Sequence, residues 1–301
     1  MTGFAEVTLT SWVTPLLLLW SIFLLDLWLG DPVYRFHPIR LIGSLLIYLE
    51  RWLFARGWNG YTGGILLGLL LLGIVLGCYF LLQKLFGSLH PVLSWSLDLF
   101  LGYSLLALRD LEIHGLRVWR ATAEGNLMKA REEVSQLVGR DVERLDLAGC
   151  NRATLESLSE NLSDGVVSPL IWLTLVGIPG MLAFKLISTM DSMVGYRNSR
   201  YLRFGWFGAR ADDLMNWVPA RLTWVLLSIS AWVLPDYDGR MAWSIGLSQH
   251  QYMSGPNAGW GQAASAGALR VQLVGEKWKN GRLQHLSLIH ISEPTRPLYI
   301  S

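Results

Sequence analysis

The sequence predicts an all-α integral membrane protein: a multi-span helical bundle with one broken, hairpin-like membrane segment and helical loops outside the bilayer. Three observations carry that prediction. Of 301 residues, 52% are hydrophobic and only 16% charged, where soluble domains carry roughly 25% charge. The 15 Trp residues suit rings anchored at a membrane–water interface. Several runs free or nearly free of charge also reach spanning length. A disordered chain, a collagenous chain and a disulfide scaffold are excluded, and a soluble globule would expose too much apolar surface.

Trp12–Leu29 is long enough for one span and holds a single charge, Asp26. Leu41–Phe54 is too short to cross, ends with Glu50 and Arg51, and reads as an interfacial or partly buried helix. The uncharged stretch Gly63–Leu82 contains Gly64-x-x-x-Gly68 and Gly73-x-x-x-Gly77, spacings that let helix backbones approach closely. Those two pairs project on opposite faces, which predicts packing on both sides. Pro91–Leu108 is a third span, interrupted by Asp98.

Residues 109–165 form a polar middle, with one short helix over Lys129–Val138, a break at Gly139-Arg140-Asp141 and another helix over Asn151–Asp164. Val166–Ile187 is apolar but broken by Pro169 and by Gly177-Ile-Pro-Gly180. Two half-length helices around that break return the chain to the side it entered from; irregular backbone at membrane depth is tolerated when buried in protein. Leu222–Leu234 is a short apolar helix. Residues 1–285 thus read as one membrane-embedded domain.

Charge orients it. Residues 1–11 carry no Lys or Arg and residues 83–90 only Lys84, while residues 30–62 carry Arg35, Arg40, Arg51 and Arg56. The positive-inside rule places 30–62, 109–165 and 188–217 in the cytoplasm, in a multi-pass protein of the cell (inner) membrane. Leu286–Arg296, LSLIHISEPTR, reads like a translated sequencing adapter, so residues 286–301 are expected to be a non-native tail.

The net charge of +2 gives no case for nucleic acid. Cys78 and Cys150 form neither a disulfide framework nor a zinc motif. No P-loop, H-E-x-x-H or G-x-S-x-G motif occurs.

Three clusters can carry chemistry. On a helix over Asn151–Asp164, Leu155, Leu158 and Leu162 form one stripe, while Glu156, Ser157, Glu160, Asn161 and Asp164 share the opposite arc. Carboxylates at i, i+4 and i+8 repel, so the choice lies between a solvated acidic face and a cation: a metal, an Arg or a substrate amine. Second, Asp191-Ser-Met-Val-Gly-Tyr196-Arg197 is followed by Arg200, Arg203 and Arg210, then Asp212, Asp213 and Asn216. Such oxygen ligands suit Mg²⁺ bridged to phosphates, and arginine forks suit phosphate itself; positive-inside anchoring accounts equally well for half of the arginines. Third come Gly30-Asp31-Pro32 and His37-Pro38-Ile39-Arg40. Asp26 and Asp98 are functional candidates because charge inside a membrane is costly, and His114 is a lesser one.

Together these stretches resemble the adenosylcobinamide-phosphate synthase family, integral membrane proteins of cobalamin biosynthesis, over roughly Leu24 to Gly275. The resemblance rests on Leu29-Gly-Asp-Pro32, His37-Pro-Ile-Arg40, Ala107-Leu-Arg-Asp110, Val138-Gly-Arg-Asp141, Glu156-x-x-x-Glu160-Asn161-x-Ser163-Asp164-Gly165, Asp191-Ser-Met-Val-Gly-Tyr-Arg197, Asp212-Asp213, Pro219-Ala-Arg221 and Pro256-Asn-Ala-Gly-Trp260. Ser188 and Gly255 depart from residues usual in the family, and the final apolar helix expected from it is replaced by the adapter-like tail. The resemblance implies a ligase that joins adenosylcobyric acid to (R)-1-aminopropan-2-ol phosphate, or a related amino-alcohol, in an ATP-dependent amide bond, with Mg²⁺ and ATP. It implies catalytic roles for Glu160, Asp164, Asp191 and His37, and metal binding by Asp212, Asp213 and Glu156. Arg197, Arg200, Arg203, Asn161 and Tyr196 are implied to bind substrate or phosphate. Trp206 and Trp260 are candidate resting places for the flat corrin, and an aromatic belt at the membrane interface accounts for these tryptophans equally well. The partners are then the corrinoid, the amino-alcohol phosphate and the lipid bilayer. Two other readings stay open: a non-catalytic membrane regulator, and a corrinoid transporter suggested by Asp26 and Asp98.

Overall fold

The computed structural model describes residues 3–30, 34–139, 141–253, 255–273, 276–279 and 282–285, with side chains described from residue 15 to residue 273 among them. Asp31, Pro32, Arg140 and the 286–301 tail lie outside the described residues. The chain divides into two compact units, each built from two stretches: Met1–Arg109 with Ser168–Met215, and Asp110–Val167 with Asn216–Ser301.

The first unit begins with α1 (Gly3–Leu29) and α2 (Pro38–Phe54). Apolar residues at the spacing of Ile42, Leu46, Leu49 and Leu53 bury one face of α2. They meet Leu67 and Leu71 of α3 (Tyr61–Leu89), Leu186, Ile187, Met190 and Val194 of α9 (Ile178–Val194), and Phe204. The partly buried reading of this stretch therefore holds. Helix α3 runs longer than expected and packs by one of its two glycine pairs. Gly64 lies against the backbone of Phe204 and Gly68 against the Phe207 ring, whereas a Cβ on Gly73 or Gly77 would meet nothing. The expectation of two packed faces is corrected to one.

Pro91–Leu108 is a shorter helix than expected, α4 (Pro91–Ser104), followed by a break and α5 (Leu108–Ala123). Helix α3, and the stretch Pro91–Ala123 taken together, are long and apolar enough to cross a membrane. Leu69, Phe80, Leu81 and Leu85 of α3 stand exposed, as lipid-facing residues do.

Both carboxylates that interrupt the apolar helices, Asp26 and Asp98, have structural partners. Asp26 is fully buried, and its Oδ2 accepts hydrogen bonds from the Leu108 and Arg109 amides at 3.1 and 3.2 Å, capping the start of α5. Asp98 accepts from the Tyr79 hydroxyl at 2.9 Å and from the Gln83 amide, tying α4 to α3. The observation that motivated a transporter thus has a packing explanation.

The break in Val166–Ile187 falls at Gly177, whose φ of 75° no side-chain-bearing residue adopts cheaply. It separates α8 (Ser168–Val176) from α9, and Pro179 sits in the first turn of α9, where its missing N–H costs nothing. Gly180 lets α9 approach Trp172 and Val176 of α8. Helix α10 (Trp206–Met215), which the sequence reading did not anticipate, closes the unit, and the Met215 carbonyl accepts from the Trp172 indole at 3.2 Å.

In the second unit α6 (Leu127–Ser135) and α7 (Leu147–Leu162) pack with α5 around Val118, Ala121, Ala130, Val134, Cys150 and Ala153. Asn126 and Asp146 cap α6 and α7 through the Lys129 and Gly149 amides. Ser163–Val167 then winds as a π turn. Helix α11 (Trp217–Val233) is longer than the Leu222–Leu234 segment expected. It packs with α12 (Gly239–Gln249) and α13 (Ala258–Leu269), both absent from the sequence reading. Gly246 makes room for the Trp224 ring, and Gly267 brings α13 onto the Met241 backbone. A two-stranded antiparallel hairpin, Glu276–Lys279 with Arg282–His285, is the exception to an all-helical fold among the described residues.

Candidate functional site

The predicted residues fall into two groups, one in each unit. In the first unit Asp191 sits near the C-terminal end of α9. Its main-chain oxygen accepts from the Gly195 amide at 2.7 Å, and a Cβ on Gly195 would strike the Asp191 carboxylate and carbonyl. The glycine of the Asp-Ser-Met-Val-Gly motif is therefore there to let the chain fold back over Asp191. Gly205 meets the Val194 carbonyl in the same way, and Gly208 lets α10 lie on Met190 and the Asp191 backbone.

That close packing brings Asp213 of α10 to Asp191. Both carboxyls are pushed above the usual carboxylate range, Asp191 first by burial and then by the Asp213 charge, Asp213 by burial. Arg210 and Arg197 oppose the shift of Asp213, and Arg210 Nη1 lies 3.7 Å from Asp213 Oδ2. Two repelling carboxylates flanked by two guanidiniums form a group that a cation and an anion bound together would relax. Asp212 is half-buried on the same helix, while Arg203 and Tyr196 are exposed.

Arg200 has a different job from the phosphate contact expected of it. Its guanidinium donates to the buried Glu50 carboxylate from Nη2 at 2.8 Å and from Nε at 3.3 Å, and it lies over the Phe54 ring. Glu50 also accepts from the Tyr201 hydroxyl at 2.9 Å. Arg200 anchors the segment between α9 and α10 to α2, and Glu50, read from sequence only as the polar end of a short helix, is its anchor.

His37 likewise has local work: it is buried at the N-cap of α2, its Nδ1 accepts from the Ile39 amide at 3.2 Å, and its ring lies 5.2 Å from that of Tyr34.

In the second unit the acidic helix is turned differently from the expectation. The leucines of α7 are only half-buried, and the well-buried positions are small or polar: Ala153, Thr154, Glu156, Ser157 and Ser159. Small residues let α13 come close, with Gly261 against the Ser159 carbonyl. A solvated acidic face is therefore excluded for Glu156, which is 3% exposed, whereas Glu160 is exposed and Asp164 half-buried. Asn161 donates back to the Ser157 carbonyl and hydroxyl at 2.9 and 3.1 Å. Asp164 lies within the π turn, a distortion found often at functional sites.

One polar residue here escaped the sequence reading. Gln262 of α13, 1% exposed, donates from Nε2 to Glu160 Oε2 at 3.2 Å and to the Glu156 carbonyl at 3.4 Å. Its signal was available: a lone glutamine in an otherwise Ala- and Gly-rich stretch.

Of the two candidate corrin platforms, Trp260 is buried, stacked on His250 at 3.7 Å and set against Trp224 at 5.0 Å. It has no open face. Trp206 is exposed and meets Tyr61 edge-to-face at 5.8 Å. Among the described residues no three His, Cys, Asp or Glu side chains converge as a metal cage, and Mg²⁺ commonly needs only one or two carboxylates with substrate phosphates.

The CobD/Cbib protein family profile matches residues 19–298. That match runs across residues 286–298, so it lends no support to a foreign tail. The chain is 42% identical to the cobalamin biosynthesis protein CobD of Geobacter metallireducens, over 91% of this chain and 86% of the relative. It is 40% identical to that of Yersinia enterocolitica, over 89% and 83%, and 38% identical to one from Listeria monocytogenes, over 85% and 81%. No solved structure matches it. With most of its length matched by the profile and by these relatives, the chain belongs to the CobD/Cbib family.

Proposed function

We propose that this chain is a membrane-bound synthase that joins adenosylcobyric acid to (R)-1-aminopropan-2-ol phosphate, or a related amino-alcohol, in an ATP-dependent amide bond. The chain acts in cobalamin biosynthesis, the role carried by the names of its relatives. The single observation that supports the reaction best is the Asp191–Asp213 pair flanked by Arg210 and Arg197.

A carboxylate is a poor acyl donor. In the reaction we infer, its oxygen attacks the terminal phosphorus of ATP, releasing ADP and giving an acyl phosphate. The amine nitrogen then attacks the acyl carbon, phosphate leaves, and the nitrogen gives up its proton. Asp191 and Asp213 would hold Mg²⁺, which supplies neutralisation of the phosphate charge. Arg197, Arg210 and the exposed Arg203 bind the transferred phosphoryl oxygens by guanidinium forks. Glu160 and Asp164 serve the amine side, one holding the nitrogen and the other accepting its proton. Trp206 carries the corrin face.

We place the chain as a multi-pass protein of the cell membrane with residues 30–62, 109–165 and 188–217 in the cytoplasm, where ATP is. The left-handed Gly177 break supports a return of the chain within 166–187.

Membranes carrying the chain, supplied with adenosylcobyrate, aminopropanol phosphate and Mg-ATP, are expected to form the amide and release ADP in equal amounts. Amide formation unaffected by ATP would sink the acyl-phosphate route, and none at all in well-inserted protein would favour the non-catalytic regulator.

A further inference from the structure

Glu50 is a carboxylate in an apolar place. It follows Leu49 on α2, lies one turn from Leu46 and Leu53, and is 6% exposed. A buried ion pair commonly holds two elements together no better than apolar residues of similar volume, so the packing of α2 alone does not call for it. What the carboxylate adds is direction. Its Oε1 accepts from Nη2 and Nε of Arg200 and from the Tyr201 hydroxyl. Those donors come from two successive residues of the strap that joins α9 to α10, residues 195–205. A leucine could grip that strap without fixing its rotation.

The strap is otherwise bonded to itself. Asn198 Oδ1 accepts from the Arg200 and Tyr201 amides at 3.1 and 2.9 Å, and the Asn198 carbonyl accepts from the Leu202 amide at 2.9 Å. The Tyr201 carbonyl accepts from the Gly205 amide at 2.7 Å, and the fully buried Phe204 ring meets Phe54 at 4.8 Å. These contacts tie residues 198–205 into one turn. On its near side the chain runs back through Arg197 to Gly195, which is folded over the Asp191 carboxylate. The Arg197 charge is felt at Asp213. The anchor on α2 and the carboxylate pair therefore bear on the same short turn, with Arg197 and Arg200 three residues apart.

We infer that Glu50 is a positioning residue for the phosphate site: by fixing Arg200 and Tyr201 it holds Arg197 next to Asp191 and Asp213, without touching substrate itself. This rests on the synthase reading above and adds to it a residue of α2.

The test is steady-state kinetics on the full-length chain in detergent, with KM taken separately for Mg-ATP and aminopropanol phosphate, and Mg-ATP binding followed by calorimetry. The informative variant combines Glu50→Leu with Tyr201→Phe. It leaves no buried donor behind, because the Arg200 side chain is 55% exposed and its guanidinium can turn to water. The double variant is expected to raise KM for Mg-ATP about 10-fold or more and to leave KM for aminopropanol phosphate unchanged. Glu50→Gln keeps an acceptor for both partners and is expected to recover most of the native value. Tyr201→Phe alone, which removes one hydrogen bond, is expected to raise the same KM about 2- to 5-fold, and it serves where the double variant does not fold. A merely structural anchor would lower the amount of active protein, and with it kcat, at native KM for both substrates. That result, or an equal rise in both KM values, overturns the assignment.

Nucleotide binding separates this inference from the reading it rests on. Weaker Mg-ATP binding in the double variant, recovered in Glu50→Gln, while the native chain forms no amide, upholds the positioning role and sinks the synthase. Amide formation with equal Mg-ATP affinity and KM in every variant does the reverse. A native chain that neither binds Mg-ATP nor forms the amide overturns both.

Discussion

Glu50 and Arg200, 150 residues apart in sequence, are joined in space: the buried carboxylate of one accepts from the guanidinium of the other at 2.8 Å. Tyr201 donates to the same oxygen. Truncating Glu50 leaves two donors facing apolar Phe54 and Phe204 in place of a carboxylate. Glu50→Leu is expected to lower the thermal midpoint by about 3 °C or more, and Glu50→Gln, which keeps an acceptor, by less. Tryptophan fluorescence melts would check this. Identical melting of Glu50→Leu and the native chain would show that the anchor contributes nothing.

Asp191 carries a cost that the fold does not need. Burial and the charge of Asp213 both oppose its ionised form, so removing the charge relieves the protein of both. Asp191→Asn is expected to melt at or above the native midpoint while losing amide formation by about 100-fold or more. A fall in stability together with activity would instead make Asp191 a structural residue.

Close approach of backbones distinguishes glycines that look alike in sequence. Gly64→Ala and Gly205→Ala press a methyl group onto the Phe204 and Val194 carbonyls and should each destabilise by about 1–3 kcal/mol. Gly73→Ala meets open space and should stay within about 0.5 kcal/mol. Denaturation of the three variants side by side is the measurement, and equal loss in all three would refute the packing described.

Asp238 caps α12 through the Met241 amide at 2.9 Å and pairs with Arg270 at 2.7 Å. Its carboxyl is held below the usual range, chiefly by that backbone hydrogen bond. A depressed carboxyl contributes stability that is present above its unfolded-state pKa and lost as pH falls through its folded one. Asp238→Ala is therefore expected to cost about 1 kcal/mol at neutral pH and progressively less in acid, the difference shrinking as the native chain's Asp238 is protonated in both the folded and the unfolded state. Melting curves across the acid range decide it; a pH-independent difference would point to packing rather than charge.

Elements with a strong single-sequence signal were legible. The short apolar stretch Leu41–Phe54, ended by Glu50 and Arg51, predicts an interfacial or partly buried helix where α2 lies, and Gly177-Ile-Pro-Gly180 predicts the break between α8 and α9. Helix α10 was not, because ten residues with Arg210, Asp212 and Asp213 among them read as a charged loop. Helix α13 was missed for the opposite reason: alanines and glycines give little contrast between faces. The acidic arc of α7 was found, but not that Glu156 is buried, since the partner helix that buries it was itself unseen. Arg200 read as a phosphate ligand because nothing in the sequence connects it to Glu50. Cation and carboxylate so far apart declare their pairing only after folding.

Helix α13 reads Ala-Gly-Trp-Gly-Gln-Ala-Ala-Ser-Ala-Gly-Ala-Leu, small at every position except Trp260, Gln262 and Leu269. A helix written in so few atoms has a two-tier tolerance to change. Across its small positions the penalty of a substitution should scale with the volume added, whatever the chemistry of the newcomer. At position 262 that scaling should fail. Methionine, close to glutamine in size, would fit the space there and still lack the N–H that reaches Glu160 and the Glu156 carbonyl, so a saturation library of this one helix would separate shape from hydrogen bonding along a single stretch of twelve residues.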